Sequence, residues 1–148
     1  MRTLFLCALT IVLAIATAQA GQPMAGIVKS LEGDVFVQRG DEKFQATIGD
    51  KLFVSDTITT EKASCAGIML EDDALISLGS NSKLELSDFA FAPQKENFAI
   101  VIKFLKGSFT YMSGIIGRLA PDKIRIETPD AIIAVHGTRF LAHVEEEQ

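Results

Sequence analysis

The side chains able to do chemistry in this chain are few and scattered. Its two histidines, His136 and His143, are seven positions apart. On an extended segment they point to opposite faces, because successive side chains alternate. A shared metal ion or a paired acid–base role is therefore not expected. His136 stands beside Gly137 at a glycine bulge, where a lone imidazole reads as structural or exposed rather than catalytic. Ser80-Asn81-Ser82-Lys83 has the S-x-x-K spacing of a serine acyl-enzyme. That motif opens a helix, and here a strand follows. Glu71-Asp72-Asp73 offers carboxylates of the kind calcium takes, but three adjacent acids in a tight turn read as a water-facing reversal. There is no G-x-S-x-G, no G-x-x-x-x-G-K phosphate loop and no cysteine pair for zinc. No catalytic residue, cofactor site or metal site is assigned, and the chain is not expected to be an enzyme.

Composition narrows the setting. Met1-Arg2, the apolar run at 4–18 and the small-x-small step Ala18-Gln19-Ala20 have the form of a cleaved export leader at 1–20. The run is shorter than the roughly 20 apolar residues a spanning helix needs. The longest later apolar stretch, 98–105, is interrupted by Lys103 and is strand-sized, so no integral membrane segment is expected. Residues 21–148 make one domain. The formal net charge of −5, one unit more negative without Arg2, argues against nucleic acid as a partner, since phosphate binding needs a positive face. Cys65 is the one cysteine after the leader, which excludes an intrachain disulfide. It reads as a small buried hydrophobe within a strand, with an intermolecular bridge or a reactive thiol as the alternative.

These residues must be positioned by strands. Branched and alternating segments at 25–30, 34–39, 43–46, 57–60, 64–70, 74–78 and 83–87 are separated by turn residues every 8–12 positions or so, the spacing of an all-β sandwich, barrel or solenoid. Leu84 and Leu86 oppose Lys83, Glu85 and Ser87. Ile124 and Ile126 oppose Lys123, Arg125 and Glu127. Segments 98–105 and 131–135 are apolar on both faces and read as central, doubly covered strands, with exposure of one face to a partner as the alternative. Residues 113–119 are weakened as a helix by Gly114 and Gly117 and read as a loop or a single turn. Residues 88–97, with Pro93, read as a longer connection. The fold class expected is all-β: one domain of short antiparallel strands, solenoid or sandwich-like.

Several fragments, in order, resemble the FecR domain family. Gly33-Asp34-Val35-Phe36-Val37, Gly49-Asp50-Lys51-Leu52 and Asp56-Thr57-Ile58-Thr59-Thr60 are similar to its G-x-V-x-V, G-D-x-L and D-x-I-x-T steps. Glu71-Asp72-Asp73, Ile76-Ser77-Leu78-Gly79 and Ser82-Lys83-Leu84-Glu85-Leu86 resemble its Asp-Gly turn and the S-x-L-x-L that follows. Lys106-Gly107-Ser108-Phe109 resembles a K-G-x-F step. Thr128-Pro129-Asp130-Ala131 and Val135-His136-Gly137-Thr138-Arg139-Phe140 resemble the closing T-P-x-A and V-R-G-T-x-F elements. The resemblance runs from about residue 25 to 144. It implies that Gly49, Asp50, Thr128, Pro129, Gly137, Thr138 and Phe140 are family positions, and their residue types suit architecture: glycine for bends, and proline restricting the residue before it. Two positions depart from the pattern. Asp73 stands where the turn has glycine, so a different turn geometry is expected. His136 stands where the family has arginine, exchanging a fixed cation for one that titrates near neutrality.

The resemblance implies a periplasmic domain of regulators that also carry a cytoplasmic sigma-factor segment and a membrane helix. This chain shows neither, so anti-sigma activity is not carried over. The expected function is an exported, non-catalytic binding or sensory module, in the periplasm or secreted, engaging another envelope protein or an envelope polymer. Phe36, which alternates away from Val35 and Val37, and His136 are the candidate contacts. The alternative is a structural subunit that self-assembles as a homo-oligomer through 98–105. An enzyme acting through carboxylates is the least favoured reading.

Overall fold

Period-two alternation governs the backbone from one end of the fold to the other. The computed structural model describes residues 21–136 and 139–145, so the leader expected at 1–20, the Gly137-Thr138 step and the last residues of the acidic tail lie outside the described residues. Twelve strands join into one hydrogen-bonded sheet. They are β1 (Met24–Glu32), β2 (Val35–Arg39), β3 (Glu42–Gln45), β4 (Lys51–Phe53), β5 (Thr57–Thr60), β6 (Cys65–Leu70), β7 (Leu75–Leu78), β8 (Lys83–Ala92), β9 (Asn97–Met112), β10 (Ile124–Glu127), β11 (Ile132–Ala134) and β12 (Arg139–Val144). The order is β3-β2-β5-β8-β9-β7-β6-β1-β4, with β10 and β12 also pairing with β9, and β11 with β10. The domain is all-β, and among the described residues it has one short α-helix, α1 (Ile115–Leu119).

The sheet curls, and β9 is the strand that belongs to both halves. Its first part lies between β8 and β10, with Lys103 opposite Glu85 on one side and Glu127 on the other. Its second part lies between β7 and β12, with Phe109 opposite Leu78 and Ala142. The change comes at Gly107, which takes φ +95. A Cβ there would run into Ser82, so only glycine lets β9 turn at that point. Inward residues of both halves then share one core. Val35, Val37, Ile58, Leu84 and Leu86 come from one half, and Val28, Leu52, Ile68, Leu70 and Ile76 from the other; all are buried. Phe104 and Phe109, one on each side of the bend, stack with ring centroids 4.1 Å apart. Burying each such side chain contributes roughly 1.5–3 kcal/mol.

One pairing departs from the antiparallel expectation: β10 runs parallel to β9, with Ile124 opposite Ile100 and Ile126 opposite Ile102. A parallel pair needs a crossover of about a dozen residues. Residues 113–123 supply it and contain α1 and a 3-10 turn at Pro121–Lys123. The glycines that make 113–119 a poor helix are required for contact. A Cβ at Gly114 would strike the Asp72 carbonyl and the Ala74 amide.

Other expectations are corrected. Residues 88–97 are mostly strand: β8 continues to Ala92, a 3-10 turn occupies Pro93–Lys95, and β9 begins at Asn97. A register shift between Leu86 and Asp88 resets the alternation, so Phe89 is buried and Phe91 meets Phe98 at 6.3 Å. Segment 98–105 is central and paired on both sides, which removes it as a self-assembly edge. Segment 131–135 is not central: β11 pairs with β10, and Ile132 is 67% exposed. Cys65 is exposed, because the inward parity of β6 belongs to Ala66, Ile68 and Leu70. Asp72, expected to face water, is fully buried. Asp73 takes a left-handed φ of +65, a conformation aspartate tolerates better than most non-glycine residues.

Candidate functional site

The curled sheet has two sides where the terminal strands of its halves come to an end, and they are finished differently. On one side the edge strands are β3 and β4. Arg39, the last residue of β2, donates from Nε to Asp56 Oδ1 at 2.9 Å and from Nη2 to Asp56 Oδ2 at 2.7 Å. The same Nη2 donates to the Lys51 carbonyl of β4 at 3.0 Å. Its guanidinium lies over Phe53 of β4 at 4.6 Å and faces Phe44 of β3 at 5.3 Å. Asp56, wholly buried, also accepts from the Phe53 amide at 2.9 Å. The hydrogen bond to Asp56 holds the Arg39 guanidinium above its ordinary pKa. One bidentate pair with aromatic flanks therefore ties both edge strands together.

Gly49 and Asp50 belong to this closed side. The Asp50 carboxylate accepts from the Thr47 amide at 2.7 Å, the Gly49 amide donates to the Val28 carbonyl at 2.8 Å, and the Val28 amide donates to the Asp50 carbonyl at 2.9 Å. Gly49 takes φ +93.

On the other side the edge strands are β11 and β12. Among the described residues each pairs along one edge, β11 with β10 and β12 with β9. The hairpin from β10 into β11 is closed by Thr128. Its hydroxyl accepts from the Ala131 amide at 3.0 Å, and its amide donates to the Ala131 carbonyl at 2.8 Å. Pro129 follows within that turn. Between hairpin and β12 lies a cleft of about 410 Å³ whose walls include Thr128, Ile133, Ala142 and Val144. Ile133, Phe140, Ala142 and Val144 reach the core without being covered by it. Phe140 meets Phe109 edge-on at 5.5 Å and Tyr111 at 5.6 Å. Outward from the same strands stand Ile132 and Leu141, 67% and 74% exposed.

His136 is exposed and lines an adjoining cleft of about 540 Å³ with Met112, Arg118 and Pro121. Asp72 fixes the wall of that cleft from within. Its Oδ2 accepts from the Ile116 amide at 3.1 Å, its Oδ1 from the Ala74 amide at 3.2 Å, and its carbonyl from the Ile115 amide at 2.7 Å. Burial pushes the Asp72 carboxyl above the ordinary range, with the amides of Ile116 and Ala74 opposing it. Burial, then the Asp72 charge, raises the Tyr111 phenol well above its usual value, with Ser113 opposing.

The structure thus places Thr128 and Pro129 in the hairpin at the first cleft, Phe140 on β12 against Phe109 and Tyr111, and His136 at the second cleft, and puts Gly49 and Asp50 on the closed side. Gly137 and Thr138 lie outside the described residues. Phe36 belongs to neither region; it is half-buried on the outward face of β2, while Val35 and Val37 are buried. Sequence reading missed Arg39, Asp56 and Asp72 as organising residues. The available signal for Arg39 was its parity with Val35 and Val37. Among the described residues no group of three or more His, Cys, Asp or Glu side chains forms a metal site, and no helix is long and apolar enough to cross a membrane.

A family model described as FecR protein matches residues 56–148. No curated protein matches the chain, and no solved structure does. The matched span begins at Asp56, so the two glycine steps at 33–37 and 49–52 precede it.

Proposed function

The chain belongs to the FecR family, a family of regulatory and signalling proteins, and from that premise we propose that it is an exported, non-catalytic sensory module of the envelope that docks a partner on its open side. The observation that carries this reading is the contrast between the two sides. One is closed by Arg39 and Asp56. Among the described residues the other leaves one backbone edge each of β11 and β12 unpaired, with Ile132 and Leu141 exposed beside a cleft whose walls mix Ile133, Ala142 and Val144 with Thr128, Asp130, His143 and Glu145. Free strand edges of this kind take up extended segments by main-chain hydrogen bonding, while flanking pockets select side chains. The partner is an envelope protein or polymer, and the compartment is the periplasm, with secretion as the alternative. Gly49 and Asp50 serve the fold, as do Thr128 and Pro129, whereas Phe140 and His136 border the docking side.

Affinity capture from envelope extracts tests this reading. Wild-type protein is expected to retain a discrete complex that a Leu141→Lys variant loses while keeping its melting temperature. Equal retention by both proteins contradicts the assignment of the open side, and retention of nothing contradicts the module.

Self-association is the second reading, favoured by the exposure of Leu141 and Ile132 on two edge strands. It predicts that the wild-type protein is a dimer or larger by light scattering, and that the same variant is a monomer.

A further inference from the structure

A second surface lies on the outward face of a half-sheet, across β2, β5 and β8, which are paired along both edges, and the edge strand β3. Phe36, Gln38, Lys43, Thr57, Thr59 and Lys83 line a shallow depression of about 170 Å³ on the outward face of β3, β2, β5 and β8. Register arranges them as a grid. Phe36 stands opposite Thr59, and Thr59 opposite Lys83; Lys43 stands opposite Gln38, and Gln38 opposite Thr57. The chain carries a net charge of −5, yet this patch holds two ammonium groups and no carboxylate. The nearest acid in the grid, Glu85 opposite Thr57, is occupied by Lys103 at 3.9 Å and the Ser87 hydroxyl at 3.1 Å. Lys43 rests its Nζ 4.7 Å above the Phe36 ring, which holds the charge over the face instead of leaving it free to swing away. The Gln38 side-chain amide is fixed by its bond to the Gly40 carbonyl at 2.6 Å, which leaves its oxygen as an acceptor toward the depression.

We propose that this face binds a linear acidic glycan, with Lys43 and Lys83 taking its carboxylates or other anionic groups and Thr57, Thr59 and Gln38 hydrogen-bonding its hydroxyls. Three features carry the assignment. The two cations sit three strands apart, roughly 14 Å at the usual inter-strand distance, so one small anion does not engage both and a repeating polyanion does. Hydroxyl and amide groups fill the space between the cations, which suits a ligand rich in hydroxyls. β2 and β5, which carry the hydroxyl and amide groups, have spent their backbone groups on their neighbours, so an acidic peptide cannot add there as a strand. Two cations are also too few for nucleic acid, whose affinity comes from neutralising many phosphates. This surface is independent of the open side, and either assignment can fail without the other.

The test titrates the purified protein with fluorescently labelled polygalacturonate, with dextran as the neutral glycan and poly-glutamate as the acidic peptide. Polygalacturonate is expected to bind in a salt-sensitive manner and dextran not to bind. Binding should weaken at least tenfold in Lys43→Glu, Lys83→Glu and several-fold in Thr57→Val, Thr59→Val, which keeps the charge. Leu141→Lys should bind as the wild type does. Lys83→Gln alone, expected to weaken binding several-fold, serves as a milder variant if the double charge reversal melts early. Failure to bind polygalacturonate, equal binding of poly-glutamate, or unchanged affinity in the lysine variants overturns the proposal.

Discussion

The side of the sheet bounded by β3 and β4 and the side bounded by β11 and β12 face the same physical problem with different outcomes. Each is a place where two half-sheets run out of partners and their inward side chains meet solvent. On the first side, Arg39 spans the gap, and Phe44, Phe53, Asp56 and the Lys51 carbonyl are all satisfied around one guanidinium. On the second, Ile133, Ala142 and Val144 are left half-covered along a cleft, and Leu141 points into water. A protein that closes one edge with a buried ion pair has the means to close the other. The edge left open is the one proposed above as the docking side.

The comparison breaks most severely at Arg39. Arg39→Met leaves Asp56 buried without its counter-charge. Removal of one partner of a buried pair costs about 3–5 kcal/mol, and because the Arg39 side chain keeps 34% exposure the low end, about 3 kcal/mol, is expected in urea unfolding. A loss below about 1 kcal/mol shows that the clasp is ornamental. Gly107→Ala strikes the bend through which the two half-sheets share β9. A left-handed φ and a collision with Ser82 together predict a loss of about 2–3 kcal/mol, read as a fall in melting temperature.

Asp72→Asn probes the wall of the cleft that holds His136. Asn can accept through its oxygen from only one of the Ile116 and Ala74 amides, so about 1–2 kcal/mol is lost. The pH dependence has a defined sign. The folded-state pKa of Asp72 is raised, so the native state holds its proton more tightly than the unfolded chain does. The advantage of wild type over Asp72→Asn is therefore smallest above the folded pKa and grows as pH falls through it toward the ordinary carboxylate range. A difference that shrinks on acidification contradicts the burial of that carboxyl. Leu141→Lys is expected to change stability by less than about 0.5 kcal/mol, since nothing covers Leu141, while it abolishes partner retention.

The faces of most strands were readable because alternation is local. Leu84, Leu86, Ile124 and Ile126 could be assigned inward from their neighbours alone, and Phe36 outward. The failures share a cause. The burial of Asp72 depends on an amide 44 positions away, and the Arg39–Asp56 clasp joins residues 17 apart; no window on the chain contains both ends. The bulge after Leu86 hid the end of β8 by shifting its parity. Cys65 was misjudged by residue type when its parity within β6 decided the matter. The edge position of β11 follows from the parallel crossover, which local apolarity at 131–135 does not encode. The closing motif around Thr128 and Phe140 was read through family resemblance as architecture; the unpaired edge beside it is a property of topology.

Site-specific photo-crosslinking in cells that export the protein tests the difference between the two sides most directly. A photoreactive residue is placed at position 141 on the open side and, in a second protein, at position 48, exposed between β3 and β4 on the closed side. A discrete adduct of defined mass from position 141, and none of that mass from position 48, is the predicted result. The same adduct from both positions, or from position 48 alone, would contradict the assignment of the open edge as the docking side.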